Sequence, residues 1–170
     1  MPTSEQILEI FLSRVTGQFS FLTTDWGFVE CGAVLPDPRE DPRDRKTRVR
    51  YFRGSCIVDV VLNDMALGLF VYVRQTASTT NAADCQTTSI VASVSFEYYL
   101  LSHHKAELSP PLPGMKPHQT FLTMYNKAPF RYHRIIVDHL PDAIAEMASR
   151  FRRFGKALID GDLVAIAAEP

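Results

Sequence analysis

The clearest pattern along the chain is an alternation of apolar and polar positions between residues 49 and 73. Cys56, Val58, Val60 and Leu62 fall on one face of an extended segment, and Ile57, Asp59, Val61 and Asn63 on the other. Asn63-Asp64 is a turn dipeptide, after which Leu67, Leu69, Val71 and Val73 resume the alternation. With Val49-Arg-Tyr-Phe52 ahead of it, this segment predicts an antiparallel hairpin or three-stranded meander centred near residue 64. Gly68 in the second strand predicts a bulge or a close neighbour there.

Helical spacing marks both ends of the chain. Thr3 and Gln6 stand in the capping-box relation, Ile7, Leu8, Phe11, Leu12 and Val15 make one apolar stripe, and Gly17 is the expected stop. Near the other end Pro141 suits a first helical turn, and Ile144, Met147, Ala148, Phe151, Phe154 and Leu158 trace a second stripe. Asp142 and Glu146 lie early in it and Arg150, Arg152, Arg153 and Lys156 late, which complements the helix dipole. Leu163 to Ala168 adds a short final helix.

Between these ends, the aromatic run Phe19 to Phe28 predicts a core anchor, with a sharp bend at Gly27, and residues 28–34 a first strand. Residues 75–89 predict a loop, 89–94 a short strand, and 95–104 and 118–127 helices. The expected fold is α+β: an antiparallel sheet with a central hairpin, packed on one face by N-terminal and C-terminal amphipathic helices. All 170 residues form one domain in this reading, with 46% hydrophobic and 22% charged side chains, ordinary globular usage.

One segment departs from that composition. Residues 36–48 hold three prolines and dense mixed charge, which predicts an exposed charged loop. Between Asp37 and Arg50 there are six basic and four acidic side chains. Arg39, Arg43, Arg45, Lys46, Arg48 and Arg50 would suit a phosphate-binding arm, but Asp37, Glu40, Asp41 and Asp44 cancel much of that field. A solvated loop is the first reading, protein contact the second and nucleic acid the third; for protein contact, Arg39, Glu40, Asp41, Arg43, Asp44 and Arg45 are the candidate partner-binding residues.

Chemistry-bearing motifs are sparse. His103 and His104 are adjacent and point about 100° apart on a helix, and no HxxxH or HExxH spacing brings His118, His133 or His139 into a ligand set. Cys31, Cys56 and Cys85 form no CxxC pair, which predicts reduced thiols, Cys56 buried and Cys85 the most exposed. Asp59 and Asp64, on or beside the hairpin, could supply an acid and a base, but read more readily as ordinary edge or turn residues. No glycine-rich phosphate loop or GxSxG elbow occurs. No cofactor and no catalytic or metal-ligating residue is expected. Formal charge of -1 predicts neither nucleic-acid nor membrane binding. The absence of a basic, apolar leader and of an apolar run of about 18 residues predicts a cytoplasmic protein.

The helix followed by the Phe21-Leu22 and Gly27-Phe28 corner, the Val49 to Phe52 strand, the Cys56 to Val73 hairpin and the closing Phe154 to Asp162 helix carry a likeness. Together they resemble small bacterial α+β proteins of unassigned activity, several of which stand beside toxin genes and are taken to be immunity proteins. The resemblance implies a non-enzymatic cytoplasmic binding protein that neutralises a toxin by direct contact. Two other expectations stand beside it. One is a small-molecule-binding protein or enzyme with a site between the sheet and residues 95–139, using His103, His118 or His133. The other is a structural subunit of a phage or secretion system.

Overall fold

A computed structural model describes residues 2–36, 38–41, 45–63, 68–86, 89–110, 112, 115–116 and 129–169, with the backbone alone at 129–133. Helix α1 (Ser4–Gln18) opens the chain, its start held by the expected Thr3–Gln6 capping box. The helix runs through Gly17 and closes at Phe19, so Gly17 is not its stop. Phe19 is fully buried, and anchoring that ring in the core fixes where the chain turns into α2 (Phe21–Thr24). Gly27 makes the bend into the sheet at φ +72°, a conformation that costs glycine little.

The sheet has five antiparallel strands in sequential order: β1 (Val29–Val34), β2 (Lys46–Arg53), β3 (Cys56–Asn63), β4 (Gly68–Thr76) and β5 (Ile90–Ser95). The predicted hairpin is its centre, with Val60 opposite Val71 and Asn63 opposite Gly68. The turn residue Asp64 lies outside the described residues. No register shift occurs at Gly68. The glycine is needed because the Phe70 ring lies where a Cβ would stand.

The inner face of the sheet, from Val49 and Tyr51 through Val58, Val60, Leu69 and Val71 to Val94, is buried under helices. Those helices are α1, α3 (Phe96–His103), α4 (Pro129–Asp160) and α5 (Leu163–Ala167). Helix α4 is two helical segments meeting at His139, whose φ of -131° is non-helical. Pro141 therefore falls in the first turn of the second segment, where its missing amide is tolerated. The predicted stripe from Ile144 to Leu158 is buried along its length. Phe151 is its centre, within 4.8 Å of the Phe96 ring centroid, 5.9 Å of Trp26 and 6.2 Å of Phe19. This arrangement is the α+β sheet-and-helix layer expected. The predicted helix at 118–127 lies outside the described residues.

Two expectations about polar segments change. Lys46, Thr47 and Arg48 belong to β2 rather than to the charged loop, and Thr47 is buried. Pairing with Asn63, Leu62 and Val61 satisfies their backbone, which overrides the local composition. The cysteines change as well: Cys31 and Cys85 form a disulfide, Cys85 is buried, and only Cys56 is free. The two Cα atoms are 6.1 Å apart because residues 77–86 fold back across the sheet, a closeness that a sequence separation of 54 hides. A disulfide of this kind persists in an oxidising compartment, so the expectation of a cytoplasmic protein loses its support from reduced thiols. No helix among the described residues is long and apolar enough to cross a membrane.

Candidate functional site

The outer face of the sheet is not a plain polar surface. Alternation puts Arg48, Arg50 and Phe52 of β2, Ile57, Asp59 and Val61 of β3, and Phe70, Tyr72 and Arg74 of β4 on that side. Asp59, which the sequence alone reads as an ordinary edge or turn residue, lies mid-strand in the central strand with its side chain 0% exposed. Register places it directly opposite Arg50.

The Arg50 guanidinium grips that carboxylate with two hydrogen bonds, Nε to Oδ1 at 2.7 Å and Nη2 to Oδ2 at 2.8 Å. This fork is the strongest geometry available to an arginine and a carboxylate. The third arm, Nη1, donates to the Cys85 carbonyl at 2.9 Å. Arg74 approaches Asp59 Oδ2 to 3.0 Å and Arg48 to 3.9 Å. The Arg74 guanidinium also lies over the Tyr72 ring, 5.1 Å from its centroid.

Three guanidiniums thus share one carboxylate among the described residues, a formal excess of two positive charges. Exposure is graded across them: the side chain of Arg50 is 4% exposed, Arg74 19% and Arg48 26%. Burial lowers the pKa of Arg74, Asp59 opposes the shift, and Arg48 and Arg50 add to it. Burial likewise raises the Tyr72 phenol. Among the described residues, the Nε atoms of Arg48 and Arg74 are buried without a hydrogen-bond partner. Such a cluster can bind an anionic group through the partly open side chains while Arg50 and Asp59 hold the frame rigid.

Beside it, a second small apolar cluster joins Phe52 and Ile57 to the Cys31–Cys85 bridge. The bridge fastens the tip of the 77–86 segment to β1. That segment is otherwise anchored by Thr80, whose amide donates to the Gly54 carbonyl at 2.8 Å.

The predicted partner-binding residues do not converge here. Arg39, Glu40 and Asp41 are exposed, whereas Arg43 and Asp44 lie outside the described residues. Arg45 is half-buried and folds back on its own loop, donating to the carbonyls of Pro38 at 2.9 Å and Glu40 at 3.3 Å. The two basic residues at the end of that segment, Arg48 and Arg50, are the ones brought into the cluster. The histidines of the alternative site pair separately: His104 Nδ1 is 2.7 Å from Glu107, and His103 Nε2 is 3.3 Å from Glu169. The side chains of His118 and His133 lie outside the described residues. A cavity of about 140 Å³ opens between the end of the hairpin and α5, lined by Ser55, Cys56, Gln75, Gly161 and Leu163. Burial pushes the Cys56 thiol there up to about 11, so at neutral pH it is a poor nucleophile or metal ligand. Among the described residues no group of three or more His, Cys, Asp or Glu could hold a metal ion.

Comparison of the chain with protein-family models, curated proteins and solved structures found no match. The site therefore rests on its geometry. One signal for it was present in the sequence: Asp59 interrupts an otherwise apolar strand, and a buried carboxylate requires a cation opposite.

Proposed function

We propose that this chain is a non-enzymatic binding protein that neutralises a toxin by direct contact, and that the outer sheet face around Arg48 and Arg74 meets an acidic surface of that partner. The observation that supports this reading is the excess positive charge, among the described residues, of the Arg48–Arg50–Asp59–Arg74 cluster. Two guanidiniums with partly open faces, fixed on paired strands by a buried carboxylate, lose little freedom when a partner carboxylate docks. Opposite charge then steers encounter, and charge-assisted hydrogen bonds slow dissociation. No chemistry on the partner is required. Coverage of its working surface is sufficient.

The partner is a protein, without nucleic acid or membrane. The compartment follows the cysteines: an intact Cys31–Cys85 bond belongs to an oxidising one, and cell fractionation checks this against a cytoplasmic location.

The experiment is protection. Cells expressing an effector encoded beside this chain's gene should survive when the chain is co-expressed, and the two proteins should co-elute in size-exclusion chromatography. Arg48→Gln with Arg74→Gln, which leaves the Arg50–Asp59 fork intact, should abolish both effects while the variant remains folded by circular dichroism. An unaltered complex with that double variant would remove the outer face from the reading. Absence of both protection and complex with wild-type protein would overturn the function itself.

A further inference from the structure

We infer that the Cys31–Cys85 bond is a reducible modification site, and that a dithiol reductant acting on it releases the 81–86 tip of the 77–86 segment from the arginine cluster. The inference rests on the proposed function only for its biological meaning; the structural change stands on its own observations.

The first of these is connectivity. Residues 81–86 are exposed except for Cys85. They are folded on themselves by Asn81, whose Oδ1 accepts from the amides of Ala83 at 3.0 Å and Asp84 at 3.1 Å. This folded tip meets the sheet through the disulfide to β1 and through the Cys85 carbonyl on Arg50. One residue therefore carries both the covalent tether and a cap on the cluster. Cleaving the bond leaves noncovalent contacts, among them the Arg50 hydrogen bond and the packing of Cys85 on Phe52 and Ile57, to hold what a covalent link held before.

The second is access. Cys31 is half-buried and Cys85 is buried, so Cys31 is the more open end of the bond for an incoming thiolate. Attack there forms a mixed disulfide on Cys31 and expels Cys85 as the thiolate, which takes a proton from water. The reductant's second thiolate then attacks the mixed disulfide, releasing Cys31 as a thiol and leaving the reductant oxidised to its own disulfide. Two electrons and two protons pass to the chain in all.

The third is what waits for the product. The Cys85 sulfur lies 3.4 Å from the Ala82 carbonyl oxygen, an acceptor that a thiol can use and a disulfide cannot. Local turn geometry thus accommodates the reduced residue. Because Thr80 holds the base of the segment through Gly54 and Thr76, release is confined to its tip, and the strands remain paired.

Dithiothreitol serves as the probe on the full chain under native conditions. Iodoacetamide trapping followed by mass spectrometry should label Cys31 and Cys85 after reduction and leave both unlabelled before it. Hydrogen exchange should accelerate at least tenfold for amides of residues 81–86, while those of β3 and β4 keep their protection. Cys85→Ser should show the fast exchange without any reductant. Reduction only after denaturant is added would overturn the inference, as would unchanged exchange at 81–86 or loss of protection across the whole sheet. No readout uses a partner. A positive result with no toxin found would sink the functional reading alone, and protection from a toxin with an inert disulfide would sink this inference alone.

Discussion

Replacing Asp59 by Asn tests whether the cluster is held as the geometry implies. The substitution conserves shape and removes one charge. The amide oxygen can still accept from Arg50 Nε, but the amide nitrogen then faces Arg50 Nη2 and Arg74 Nη1, which lie 2.8 Å and 3.0 Å from the carboxylate oxygen it replaces. Donor meets donor, and three guanidiniums are left without a counter-charge. Breaking a buried pair by removing one partner costs about 3–5 kcal/mol. Asp59 and Arg50 are almost wholly buried, so that range applies with little discount for solvent. For a chain of this length about 2–4 °C of melting temperature is lost per kcal/mol, which gives a drop of roughly 6–20 °C. Thermal unfolding followed by circular dichroism measures that drop, and urea unfolding the free-energy loss, with its midpoint falling and its slope unchanged. The paired replacement Arg50→Met with Asp59→Leu removes both charges, and should destabilise less than Asp59→Asn alone. A loss below about 1 kcal/mol for Asp59→Asn, small beside the cost of an orphaned buried charge, would refute the reasoning. So would a paired variant worse than the single one.

Other expectations are more local. Gly27→Ala should cost about 1 kcal/mol, because φ is +72° while the added Cβ meets nothing closer than Arg53 Cδ at 3.9 Å; the same urea assay reads it. Phe151→Ala should cost about 3–5 kcal/mol, since the ring is fully buried among Phe19, Trp26 and Phe96; thermal unfolding would show it. Burial raises the Cys56 thiol from 9.0 to about 11, Arg53 partly opposing it. Its contribution to stability is therefore complete below pH 9 and is lost as pH rises to about 11, because the unfolded chain ionises first. Urea midpoints across that window should fall more steeply for the wild type than for Cys56→Ser, which does not ionise there, and parallel curves would contradict the assignment.

Two pairs of residues show where reading the chain one position at a time stops. Arg48 and Arg50 lie at the end of a proline-broken charged run, and composition alone assigns the first of them to a loop. Pairing with Val61 and Asp59 makes both of them strand residues. Cys31 and Cys85 carry no spacing signature, and only the path of residues 77–86 across the outer face brings them together. Asp59 is the intermediate case. Its apolar neighbours were visible, but its place in the middle of the sheet depends on strand order.

What the sequence by itself determined is the layer that faces the helices. Period-two apolar positions in β3 and β4 and the stripes of α1 and α4 can be buried only against one another, so short-range pattern dictates that contact. Tertiary structure decided the opposite face. Which charges meet there, and which cysteines join, follows from strand register and from one loop folding back, and these bring together groups far apart along the chain that no local periodicity records.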